Sequence, residues 1–285
     1  MLLELWEWLS TPASAIARKS GLLYEAIALR HRAQRCAPKW QAHIVQCHAR
    51  VHHAVASLSQ TQTLVVLGSG LLLEIPIEKL ALQFERIYLV DMQHLKPVRA
   101  LARRYPNLVL VELDLSGVLE SLLNWKENLA PPYFSAPKLP VTNADLFISA
   151  NLLSQLKQPV RKMIGDKMDE AALENYQKRI TQEHWNWFSH LPGKKLIFTD
   201  VESQFFNTDG EVVHTDAGLL GRLPPPHASW WWDVAPLGEI SSDFAQRMKI
   251  HAWLFESQAD LNKSNLVKLS HYRRHRAKKQ SKINP

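Results

Sequence analysis

Cysteine is scarce in this 285-residue chain. Cys36 and Cys47 are the only two, too few for a disulfide framework. Long apolar runs are missing as well: no uninterrupted stretch reaches the roughly 18 residues of a membrane span. The start, MLLELWEWLS, has glutamates where a secretory leader would have a cationic segment. A cytoplasmic, reduced protein with no membrane partner is expected. Acidic residues are absent from 261–285, which holds eight of the 34 Lys and Arg and none of the 27 Asp and Glu. Residues 1–260 therefore carry 26 basic against 27 acidic residues, a net charge of −1. The overall +7 belongs to the end of the chain and says nothing about a ligand of the body. Nucleic acid is expected as a partner through that basic tail only.

What is present is ordinary globular composition, 21% charged and 46% hydrophobic, in a chain long enough to bury a large core. Residues 2–60 read as helical, with Ser10-Thr11-Pro12 as a helix start. From Trp40, the residues Ile44, Cys47, Val51, Val55 and Leu58 recur at three- and four-residue spacing and predict one buried face. The His43/Cys47 and His48/His52 pairs, each one turn apart, suit metal ligands. No carboxylate or second cysteine pair completes a set, so a polar flank beside an apolar stripe is the preferred reading and no metal is expected.

From residue 61, strands alternate with helices. TLVVLG (63–68), RIYLVD (86–91), NLVLVELDL (107–115), ADLFISA (144–150) and KKLIFTDV (194–201) read as strands. Helices are expected over 74–84, 92–106, 116–130 and about 168–190. This order predicts an α/β fold with a doubly wound, mostly parallel, Rossmann-like sheet. QFFNTDGEVVH (204–214), SWWWDVAP (229–236) and MKIHAWLFES (248–257) add antiparallel strands near the end, the first folding back at Asp209-Gly210. Three regions are expected: a helical extension over 1–60, the Rossmann-like domain over 61–260, and a mobile basic tail over 261–285.

Open parallel sheets bind ligands beyond the carboxyl ends of their strands. At those ends the sequence has Gly68-Ser69-Gly70, then Asp91, then Asp114, then Ser149-Ala150-Asn151, then Asp200 and Glu202. Glycines let a ligand approach the backbone. A carboxylate about 20 residues further on suits ribose hydroxyls. This set, in this order, resembles the class I S-adenosylmethionine-dependent methyltransferases over about residues 61–257. VVLGSG stands at that family's strand-one glycine motif, LVD at its ribose-binding acid, LDL (113–115) at its adenine-contacting acid and DLFISANLLSQL (145–156) at its fourth-strand motif. The resemblance implies S-adenosylmethionine as cofactor, with Gly68, Ser69, Gly70, Asp91, Met92, Asp114, Leu115 and Asn151 as binding residues.

The chain departs from the family pattern at two positions. Val66 stands where an acidic residue usually precedes the first glycine, and Leu72 occupies the third-glycine position. Glu74 could replace the lost carboxylate, but an ordinary first-turn acid favoured by the helix dipole is the preferred reading. The acceptor is expected to be a small molecule or a protein; no Asn-Pro-Pro-Tyr motif follows the fourth strand. Trp231 and Trp232 are candidates for the acceptor space, within a strand that should place Trp230 and Trp232 on one face and Trp231 on the other. Asp200, Glu202, His227 and Asp233 are candidate acid/base groups. Two other readings remain open: a non-catalytic, partner-binding member of the fold, and an aminocarboxypropyl transferase similar to nicotianamine synthase.

Overall fold

The computed structural model describes residues 2–216, 218, 223–256 and 260. The expected tail over 261–285 lies outside them. Four helices come first: α1 (Leu2–Ser10), α2 (Ala15–Lys19), α3 (Leu22–Arg35) and α4 (Ala37–Ala56). Ser10-Thr11-Pro12 is not a helix start. α1 runs through Ser10, and the Thr11 hydroxyl donates to the Glu7 carbonyl at 2.7 Å. The next N-cap is Ser14, whose hydroxyl accepts from Ala17 N–H at 3.1 Å. In α4 the residues Trp40, His43, Cys47, Val51 and Ala54 are buried at helical spacing, as the apolar stripe requires.

The alternating part then runs β1 (Thr63–Leu67), α5 (Ile77–Ala81), β2 (Arg86–Asp91), α6 (Lys96–Arg104), β3 (Leu108–Glu112), α7 (Leu119–Leu122), β4 (Leu146–Ala150), a 3-10 turn (Leu153–Leu156), α8 (Lys157–Ile164), α9 (Glu170–Ser189), β5 (Lys194–Phe206), β6 (Val212–Asp216), β7 (Ala228–Ala235) and β8 (Ala245–Phe255). The sheet order is β3-β2-β1-β4-β5-β8-β7, with β6 on the outer part of β5. β1 to β5 are parallel, and β6 and β8 pair with β5 antiparallel. The α/β, doubly wound, Rossmann-like architecture with antiparallel late strands is the one the order of strands and helices predicts.

Both faces of the sheet are covered, which is why the central strands are apolar without interruption. Leu64 and Val66 of β1 face a core shared with α4, α5 and α6, while Val65 and Leu67 face a core shared with α7, α8 and α9. Val66 is completely buried; a carboxylate there would have to be desolvated, at a cost apolar packing avoids.

Three helices are shorter than expected, and α7 covers only Leu119–Leu122 of the expected 116–130. Residues 68–76 form turns, and α5 starts only at Ile77 after Pro76, which sits at the N-cap and not within the first turn. α6 starts at Lys96, not at Met92. Its approach is pinned by Gln93 Nε2 donating to Pro12 O at 2.9 Å and by His94 Nε2 donating to Val111 O at 3.2 Å. β5 is longer than expected. Beyond Asp200 it continues to Phe206 and, with β6, β8 and β7, builds an antiparallel overhang above the carboxyl edge of the parallel strands.

Candidate functional site

The strand order reverses between β1 and β4, so their carboxyl ends diverge and leave a crevice. A cavity of about 110 Å³ lies there and meets a groove of about 350 Å³. Together they fall within the roughly 300–1,000 Å³ of small-molecule sites. Gly68, Gly70, Asp91, Met92, Asp114, Leu115 and Asn151 all line the cavity. Ser69 is buried in the same turn and does not line it.

The glycine turn has a steric reason. Gly68 has φ +69°, and a Cβ on it would come within 2.8 Å of Leu152 Cβ and 3.2 Å of Ala150 O. Gly70 has φ +48°, yet a Cβ there would meet nothing closer than Gly68 O at 3.9 Å. Gly68 is required by the protein's own packing; Gly70 keeps open space beside the cavity. Leu72 takes φ +61°. Leu72 thus holds a left-handed conformation without being glycine, at roughly 1–2 kcal/mol, and its buried side chain anchors the turn in the core.

Asp91 Oδ2 accepts from Gly70 N–H and Oδ1 from Met92 N–H, each at 2.8 Å. Burial pushes its carboxyl above the ordinary range, opposed by these amides and by the neighbouring His94. Asp114 Oδ1 accepts from Ser116 N–H at 2.8 Å and from its hydroxyl at 2.6 Å, and Oδ2 accepts from Leu119 N–H at 2.8 Å. Both carboxylates hold the loops that shape the cavity, and each oxygen retains further acceptor capacity.

Glu74 is not the first-turn acid expected from the sequence. It lies in the turn before α5, lines the cavity, and accepts from Asn151 Nδ2 at 3.2 Å. Asn151 is 5% exposed, holds a left-handed φ of +48°, and its Oδ1 has no partner among the described residues. His43 Nε2 stands 3.6 Å from Glu74 Oε1. Trp230 Nε1–H donates to His43 Nδ1 at 3.0 Å, which places the hydrogen of the neutral ring on Nε2, facing Glu74. Burial acts to raise the Glu74 carboxyl, but His43 and Asn151 outweigh it and hold it below its ordinary value.

His43 therefore serves the cavity wall, and Cys47 is a core residue whose thiol burial pushes well above its usual range. Among the described residues no three His, Cys, Asp or Glu side chains are gathered as a metal site. None of their helices is long and apolar enough to cross a membrane.

The tryptophan strand alternates as the sequence requires. Trp230 and Trp232 face α4: Trp232 stacks on His43 at 4.2 Å and meets Trp40 edge-on at 4.9 Å. Trp231 points the other way, 36% exposed, under the Arg247 guanidinium at 4.3 Å. Trp232 and Asp200 line the groove; Trp231, Glu202, His227 and Asp233 line neither the cavity nor the groove. Glu202 pairs with Gln204 and Lys249 on the overhang. His227 Nδ1 accepts from Leu254 N–H at 3.0 Å, so it belongs to the β7–β8 pairing. Asp233 is exposed beside a separate shallow pocket with Lys39. Asp200 is held by the Ser154 hydroxyl, and burial raises its carboxyl above the ordinary range despite that bond.

Residues the sequence did not single out also shape the site. Leu22 and Leu29 of α3 cover the cavity, and Glu25 and Arg32 of the same helix border the groove. Their helical period is readable in the sequence; what the helix covers is not.

No protein-family model and no curated protein matches the chain. Among solved structures, DhpI in complex with SAM and HEP aligns at 13% identity over 84% of this chain and 99% of its own, with a TM-score of 0.37. The N-methyltransferase NodS from Bradyrhizobium japonicum WM9, solved with S-adenosyl-L-homocysteine, aligns at 10% identity over 72% and 85%, TM-score 0.34. The 1,6-didemethyltoxoflavin-N1-methyltransferase of Burkholderia thailandensis aligns at 13% identity over 85% and 92%, TM-score 0.32. At these TM-scores the overlays carry no argument, and what those proteins bind is a property of those proteins. The fold assignment rests on this chain's own strand order and register.

Proposed function

We propose that the chain is an S-adenosylmethionine-dependent methyltransferase acting on a small-molecule substrate. The observation that carries this reading is the cavity at the β1/β4 switch point, lined by groups from the ends of four successive parallel strands. The residues fit the cofactor in three respects. Gly70 leaves open space where a side chain would stand. Asn151 offers a buried oxygen with no partner. Glu74 offers a carboxylate held below its ordinary value.

Glu74 and Asn151 would hold the ammonium of the methionine end, in place of the acid missing at Val66. Asp91 would hold the ribose hydroxyls through its remaining lone pairs without releasing Gly70 or Met92. Asp114, Leu115 and Met92 would flank the base. When bound, adenosylmethionine supplies an electrophilic methyl group. The chain's part is then to align that group with an acceptor and to exclude water, which needs no strong acid/base pair. α3 over the cavity supplies the exclusion.

Calorimetric titration with S-adenosylhomocysteine tests the reading. Asp91→Ala should weaken binding by about 1.5–3 kcal/mol, the usual range for lost charge-assisted hydrogen bonds. A wild-type protein that does not bind at millimolar ligand rejects it.

A further inference from the structure

The groove beside the cavity has its own chemistry. It is bordered by four carboxylates, Glu25, Asp91, Asp200 and Asp216, against two cations, Arg32 and Lys157. Arg32 Nε stands 3.4 Å from Glu239, a carboxylate that Arg35 holds through two hydrogen bonds. The body of the chain is close to neutral, and this excess of acid is therefore local to the groove. Asp200 borders it, where β5 passes beyond the parallel strands. Ser154 donates to its Oδ1, and Ser154 is itself fixed by its N–H reaching Thr199 Oγ1 at 3.3 Å. Part of the lining is apolar: Trp232, Val234 and Met248, on the strands β7 and β8 that follow β5 in the sheet. Trp232 is 6% exposed, and its indole Nε1–H has no acceptor among the described residues.

From these observations we infer that the groove is the acceptor site and that it takes a small organic amine, bound as its ammonium, with a flat apolar body. This rests on the methyltransferase reading for the word acceptor; the amine selectivity stands on the groove alone. The ammonium faces Asp200, with Asp216 adding long-range attraction. The apolar body lies along Trp232, Val234 and Met248. A carboxylate-bearing ligand of the same shape is repelled by the same charges.

The test uses the full-length protein with S-adenosylhomocysteine present and three probes of one shape: phenethylamine, 2-phenylethanol and 3-phenylpropionate, titrated calorimetrically. Phenethylamine should bind at least about tenfold more tightly than the other two, a charge-assisted preference. Asp200→Asn should abolish the preference. Asp216→Asn, at an exposed position that leaves the core untouched, should reduce it severalfold and serves if the first variant does not fold. Equal binding of the three probes, preference for the carboxylate, or binding of none overturns the amine site. Failure of S-adenosylhomocysteine to bind overturns the methyltransferase reading instead, and an amine preference measured in its absence would leave the groove's selectivity standing.

Discussion

Gly68 and Gly70, two positions apart in sequence, should fail in different ways when each is replaced by alanine. At Gly68 the new methyl carbon would sit 2.8 Å from Leu152 Cβ, and φ is +69°. The left-handed conformation costs roughly 1–2 kcal/mol, and forcing a methyl into a filled core adds roughly 1–3 kcal/mol. Gly68→Ala should therefore lose about 2–5 kcal/mol of folding stability. At Gly70 the φ of +48° carries the first term, but the nearest atom is 3.9 Å away, so the second is absent. Gly70→Ala should lose only about 1–2 kcal/mol. Its methyl would stand in the space that a bound cofactor needs, so S-adenosylhomocysteine affinity should fall by at least about tenfold, or roughly 1.4 kcal/mol. Urea denaturation reads the first quantity and calorimetry the second. Equal stability losses in the two variants, or undiminished ligand binding by Gly70→Ala, would refute the division of labour drawn between them.

Three further outcomes are expected. Glu74 has a folded-state carboxyl held below its ordinary value near 4.5, so its contribution to stability is present above that pH and is lost as pH falls through the lower folded-state value; Glu74→Gln should flatten that part of the acid-stability profile, and an unchanged profile would count against the Glu74–His43 pairing. Trp232→Ala should cost about 3–5 kcal/mol in urea denaturation, as large buried truncations do, whereas Trp231→Ala, at the exposed face, should cost well under half of that; the reverse ranking would contradict the facing of β7. If the basic residues of 261–285 contribute nonspecific nucleic-acid affinity, that affinity should fall steeply with salt and vanish in a 1–260 protein, and equal binding by the shortened protein in a filter assay would move it to the body.

The local signals in the sequence were enough to identify the strands, because a strand buried on both faces must be apolar throughout and the runs TLVVL, LFISA and KKLIF have no other reading in an alternating pattern. They were enough for the glycine turn, for Asp91 and Asp114 at successive strand ends, and for the alternation of Trp230, Trp231 and Trp232, since a two-residue period is a local property. They were not enough for Glu74. Its place beside Asn151 and His43 depends on a left-handed Leu72, a late start of α5 and a histidine 31 residues upstream in α4, and no local period at position 74 records these. Nor could they say which of the candidate acids faces the groove. Asp200 and Glu202 are two residues apart, but a register shift lies between them and only Asp200 borders the groove. Strand order, the overhang that carries Trp232 over the crevice, and the cover supplied by α3 were decided by packing between segments far apart in the chain, where apolar surfaces must find one another and no local period records the partner.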